Sequence, residues 1–74
     1  MNERFSQVQL VQRAAAALQR GAWRDAEALS EQALAGFDDD NNAWMILGAA
    51  RIERGDADGG IAYLEQARAF ADRC

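Results

Sequence analysis

The chain has 74 residues, with no histidine, lysine or proline, and eight arginines against twelve carboxylates for a net charge of −4. One small domain is the most such a length supports, and this acidic balance lacks the clustered cations that a phosphate-binding surface needs, which argues against nucleic acid as a partner. Cys74 has no second cysteine to pair with and no histidine to activate it, so a disulfide framework and a cysteine–histidine nucleophile are both excluded.

Half of the residues are apolar, but much of that fraction is alanine, as in the run Ala14 to Ala17. Alanine costs no side-chain entropy in a helix and adds little apolar area, which favours closely packed helices over a thick core. Met1-Asn2-Glu3-Arg4 does not open an apolar segment ending in small cleavage residues. No apolar run approaches the roughly 20 residues of a membrane span. A reduced, cytoplasmic setting without membrane contact is the expectation, and arginine with abundant alanine suits a GC-rich bacterial coding sequence.

Taken in chain order, Phe5, Val8, Val11, Ala15 and Leu18 follow one face of an amphipathic helix. Gly21 is placed to end it, because glycine readily takes the left-handed conformation that closes a helix. A second helix is predicted from about Arg24 to Ala35. The polar stretch Asp38 to Asn42 connects it to a third, with Asn41 or Asn42 as cap and the aspartates suited to the positive end of the helix dipole. This stretch lacks the glycine turn and terminal glutamate of a calcium loop, so no metal is expected there.

The third helix carries Trp44, Leu47, Gly48 and Arg51 on one stripe and Met45, Ala49 and Ile52 on the adjoining one. Gly55 closes it and Asp56 is the candidate cap of a fourth, predicted from about Ala57 to Ala71 with Ile61, Leu64, Ala67 and Arg68 at helical spacing. Alternating β-branched runs do not occur. The close pairs Arg20 with Arg24 and Arg51 with Arg54 stand beside Asp25 and Asp56 and are read as solvated surface arginines.

Displacing the sequence by 34 residues lays Arg20-Gly21 on Arg54-Gly55, Glu31-Gln32-Ala33 on Glu65-Gln66-Ala67, and Ala15-Ala16 on Ala49-Ala50. The second unit reads Trp44-x2-Leu47-Gly48, then Gly55, then Tyr63-Leu64-x2-Ala67. This spacing resembles the tetratricopeptide repeat, whose 34-residue pattern opens W-x2-L-G. The resemblance implies an all-α fold: a single domain over residues 1–74, with repeats at about 7–40 and 41–74, two antiparallel helical hairpins stacked as a short tetratricopeptide-like α-solenoid.

In such a fold Trp44 and Leu47 fill the hairpin, while Gly48 and Ala67 allow close approach. The pattern is departed from at Gly60, where the family has alanine, at Asp38 and Asp72, where proline is usual, and at Leu10 and Arg13, which replace tryptophan and leucine. Arg13 is costly to bury and is expected at the exposed edge of a terminal, capping-like first hairpin.

The family's first helices line a concave groove. Carried over by register, the groove positions are Val8, Val11, Ala15 and Leu18, then Asn42, Met45, Ala49, Ile52 and Glu53. Val11, Met45, Ala15 and Ala49 stand where the carboxylate-gripping sub-class has lysine and asparagine, so no such clamp is expected. The apolar stripe has two readings: a groove for an amphipathic helix or apolar peptide, or packing within a helical array.

The function expected from the resemblance is protein–protein interaction, in the N-terminal repeats of a larger protein. The alternatives are a small secretion-type chaperone or a self-associating adaptor. No catalytic residues and no cofactor are expected. Two hairpins are fewer than the three or more this architecture normally stacks, so a bare apolar face at the last helix, open to self-association, is also expected.

Overall fold

Gly21 and Gly55 set the architecture. Both sit at positive φ, 80° and 96°, and each ends a helix through the same pair of bonds. Ala22 N–H donates to the Ala17 carbonyl (2.9 Å) and Gly21 N–H to that of Leu18 (3.1 Å), while Asp56 N–H donates to Arg51 (2.9 Å) and Gly55 N–H to Ile52 (3.0 Å). This crossed pair satisfies carbonyls that would otherwise be orphaned, and it reverses the chain within three residues. A computed structural model describes the backbone of residues 3–73 and the side chains of residues 6–69. Phe5 and Phe70 as packing residues, and the thiol of Cys74, lie outside the described residues.

Four helices follow: α1 Glu3–Gln19, α2 Trp23–Gly36, α3 Asn41–Glu53 and α4 Ala57–Arg73. The second starts one residue before the predicted boundary and the fourth runs two residues beyond it. Among the described residues α1 packs on α2 and α3 on α4, α3 also packs on α2 and more lightly on α1, and α4 touches neither α1 nor α2. The fold is all-α: two antiparallel hairpins stacked in sequence, with α3 as the joint. No helix among the described residues is long and apolar enough to cross a membrane.

The cap of α3 differs from expectation. Asn41 and Asn42 both lie inside the helix, and the cap is Asp40, whose Oδ1 accepts from Ala43 N–H at 3.1 Å. A cap residue needs extended backbone so that its side chain can fold back on the first turn, and Asp40, at φ −76° and ψ 102°, has it. Its Oδ2 accepts from the Gln7 amide at 2.8 Å, which ties α1 to the start of α3. Asp56 caps α4 as expected, its Oδ1 accepting from Gly59 N–H at 3.1 Å.

The core is built from small side chains. Ala14, Ala17, Ala26, Ala33, Ala43, Leu47, Ala50 and Ala67 are all at most 2% exposed. Each alanine buries little apolar surface, so the stability of the stack rests on how closely the helix axes approach. Around Ala17, Ala26 and Ala50, one from each of three helices, pack Leu18, Ala22, Trp23, Leu29 and Ile46.

In the second hairpin Leu47 is buried, and Trp44 stacks on Tyr63 with ring centroids 5.4 Å apart. The Trp44 indole N–H donates to the Asp38 carbonyl at 2.7 Å, anchoring the connection before α3. Within this hairpin the backbones approach closely, glycine on glycine. A Cβ built on Gly60 would lie 2.6 Å from the Gly48 carbonyl oxygen, and one on Gly48 would lie 2.8 Å from that of Gly60. Gly48 and Ala67 were the residues expected to allow close approach. Ala67 is buried, but the backbone contact belongs to Gly60, the position that had looked like a departure from pattern.

Arg13 is exposed, as its charge requires. Ser30 is fully buried in α2 and its hydroxyl finds no hydrogen-bond partner among the described residues. A buried, unpaired hydroxyl costs about 1–3 kcal/mol by mutational measures. Ser30→Ala removes it with almost no change in volume and is expected to raise the unfolding free energy by about 1 kcal/mol. Urea denaturation of the two proteins measures the difference, and a less stable variant would show that the hydroxyl is satisfied.

Candidate interaction surface

The hairpin joint brings part of the predicted groove together. Val8, Val11 and Gln12 of α1 meet Asp40 and Asn42 at the start of α3 around a hollow of about 240 Å³. Val8 is 48% exposed at its mouth, Asn42 is exposed and Val11 is partly covered. Ala15 and Ala49 lie seven residues beyond Val8 and Asn42, two helical turns along the same faces. Both are partly buried, and helical periodicity puts their short side chains in line with the hollow, along the course of a shallow trough. Glu53 is exposed at the end of α3.

The remaining predicted positions lie elsewhere. Leu18 packs against the Ala17–Ala26–Ala50 cluster at the joint and is core, not groove. Met45 is turned towards α4, where it lines a second hollow of about 210 Å³ with Asn41, Leu64, Ala67 and Arg68. Ile52 leans the same way, since its Cγ1 would be 2.5 Å from a Cβ on Gly60. One amphipathic stripe therefore serves three surroundings: an open trough, a joint and an end face.

The electrostatics of the trough are quiet. Its one carboxylate, Asp40, is engaged by Ala43 N–H and Gln7, and it has no cation. A wider hollow of about 440 Å³ lies between α1 and α2, lined by Arg13, Ala16, Arg20, Asp25, Ala28 and Leu29. There Arg20 and Asp25 stand 3.9 Å apart with both side chains well exposed, a contact of little energetic weight. Among the described residues no three of Cys, Asp and Glu gather to hold a metal ion.

No family model, curated protein or solved structure matches this chain.

The strongest charged cluster lies away from the trough, where Glu27 of α2 faces the C-terminal end of α3. Arg54 Nε stands 2.6 Å from Glu27 Oε1, close but with its N–H not aimed along a hydrogen bond. Arg51 approaches Glu27 at 3.9 Å and Asp56 at 3.5 Å, and its guanidinium lies 5.2 Å from the centre of the Tyr63 ring. Burial alone lowers the pKa of Arg51, but Tyr63, Glu27 and the Asp56 contact outweigh it and leave the pKa raised. The cluster is a clasp between hairpins with no free acid or base for chemistry.

Two lining residues, Gln12 and Asp40, were not among the predicted groove positions. Gln12 follows Val8 by one turn, a signal the apolar pattern passed over. Asp40 enters only because it caps α3.

Proposed function

We propose that this chain is a protein-interaction module of the tetratricopeptide kind that seats an apolar or amphipathic peptide segment in the trough between α1 and α3, without catalysing a reaction. The observation that carries this reading is Val8. An aliphatic side chain stands half exposed at the mouth of a hollow whose walls come from both hairpins and whose carboxylate is already engaged. Such a surface rewards an apolar guest and offers an anionic one no counter-ion. Val11 and the small Ala15 and Ala49 extend the contact, and the Asn42 and Gln12 amides supply polar contacts at the rim. The 34-residue register and the hairpin stacking support the family reading.

A photo-cross-linking side chain placed at Val8 or at Asn42 is expected to capture the same protein in cells of the source organism, and one at Gln66 on α4 is not. Binding of that protein to Val8→Asp is then expected to be at least about tenfold weaker than to the unaltered chain, the effect of placing a charge in the centre of an apolar contact. Equal capture at all three positions, or unchanged affinity of the Val8→Asp variant, would remove the trough from consideration.

A further inference from the structure

The 34-residue register also shows which surface of the second hairpin no described helix covers. Three positions of the first hairpin hold α3: Gln7 bonds Asp40, Leu18 packs against the cluster containing Ala50, and Glu27 pairs with Arg51 and Arg54. The same positions in the second hairpin are Asn41, Ile52 and Ile61, with Met45 matching Val11. No described helix lies over them. Ile52 is 40% exposed, and Met45 and Ile61 are 48% exposed. The end face is thus a repeat of an interface the molecule already makes, with isoleucine where the first hairpin has Glu27.

The opposite end of the stack is built differently. Ile46 and Ala50 of α3, which enter the joint, and its buried Ala43 and Leu47 correspond in α1 to Gln12, Ala16, Gln9 and Arg13, and all four of these are exposed. A second copy stacking head to tail would press Arg13 and two glutamines onto the apolar Ile52 and Ile61, at the cost of desolvating a charge.

The apolar end face is, by contrast, complementary to itself. If two α4 helices cross antiparallel about a point between Ile61 and Leu64, each Ile61 meets the other copy's Leu64. Arg68 then falls beside Ala57 and Asp58 of the other α4. Among the described residues neither Arg68 nor Asp58 makes an ion pair within its own chain. A two-fold axis would supply both partners twice.

We infer that the chain forms a closed, two-fold dimer through the α3–α4 end face, with Met45, Ile52, Ile61 and Leu64 at its centre and Arg68–Asp58 pairs at its rim. This inference rests on the hairpin register and does not depend on occupancy of the trough.

Sedimentation equilibrium of the 74-residue chain, carried to high micromolar concentration, is expected to fit a monomer–dimer equilibrium that stops at two. Ile61→Glu is expected to stay monomeric over that range, with an unchanged helical circular dichroism spectrum because the residue is already half exposed. Arg68→Asp should weaken the dimer by at least about tenfold, and combining it with Asp58→Arg should restore the affinity to within about threefold, since close charge pairs across an interface are strongly coupled. A monomer at all concentrations, a mass that climbs past two, or a dimer indifferent to both Ile61→Glu and the charge swap would overturn the inference.

Discussion

Gly60→Ala is expected to destabilise the protein by about 1–3 kcal/mol, the usual cost of forcing an extra group into packed space. By helix propensity alone the change would be favourable by about 1 kcal/mol, and the repeat pattern has alanine there. Geometry reverses the sign. The new Cβ would stand 2.5 Å from Ile52 Cγ1, 2.6 Å from the Gly48 carbonyl oxygen and 3.0 Å from the Ile52 amide nitrogen. Two of those three atoms are backbone, so relief requires α3 and α4 to move apart.

Separating them would disturb the packing around the buried Leu47 and Ala67 and the Trp44–Tyr63 stack of the same hairpin. Gly48→Ala should behave alike, because its Cβ would meet the Gly60 carbonyl at 2.8 Å and Leu64 Cγ at 2.9 Å. Gly36→Ala provides the contrast. Its Cβ would meet only Gln7 Oε1, at an ordinary 3.5 Å, so propensity should decide and the variant should gain about 0.5–1 kcal/mol. Urea melts of the three variants test the argument together, and a stabilised Gly60→Ala protein would show that the helices are not in contact at that point.

Glu27→Ala is expected to cost about 2–3 kcal/mol, somewhat below the 3–5 of a fully buried pair because both arginines keep some solvent. Glu27 retains 14% of its side-chain surface, against 22% for Arg51 and 34% for Arg54. Removing it leaves two guanidinium groups at the joint of α2 and α3 with Asp56, the Tyr63 ring and the more distant Glu31 for company. A double-mutant cycle with Arg54→Ala should show a coupling of more than about 1 kcal/mol. A coupling near zero would mark the contact as an ordinary surface pair.

The protonation of Arg51 does not complicate this measurement. Its pKa is raised on folding, so its contribution is complete at any pH below the normal arginine range and is lost only in strong alkali. Measurements at neutral pH therefore report the charged clasp.

Much of the fold was legible in the sequence because its punctuation is chemical and local. Gly21 and Gly55 end helices whatever lies nearby, since few other residues take positive φ without strain. Asp56 caps α4 through an oxygen three residues from its target. Asp40 was harder to single out, because three aspartates and two asparagines in a row can all cap. Register against Gln7, 33 residues away, accompanies the position used.

The candidate surface was only partly legible. Helical period shows that Val8, Val11, Leu18, Met45 and Ile52 lie towards apolar faces of α1 and α3. It carries no information about which of those faces a neighbouring helix covers. Leu18 and Ile52 occupy the same place in the two repeats, yet Leu18 packs at the joint while Ile52 is 40% exposed.

By itself, then, the sequence determined four helices, their glycine stops and their 34-residue register, because these depend on backbone conformation and on groups within a turn of one another. Tertiary structure decided the rest: that Gly60 is needed for contact, that Glu27 clasps two arginines from the next helix, and that a single apolar stripe divides into joint, trough and end face. Those outcomes depend on distances between helices, which small side chains permit but do not specify.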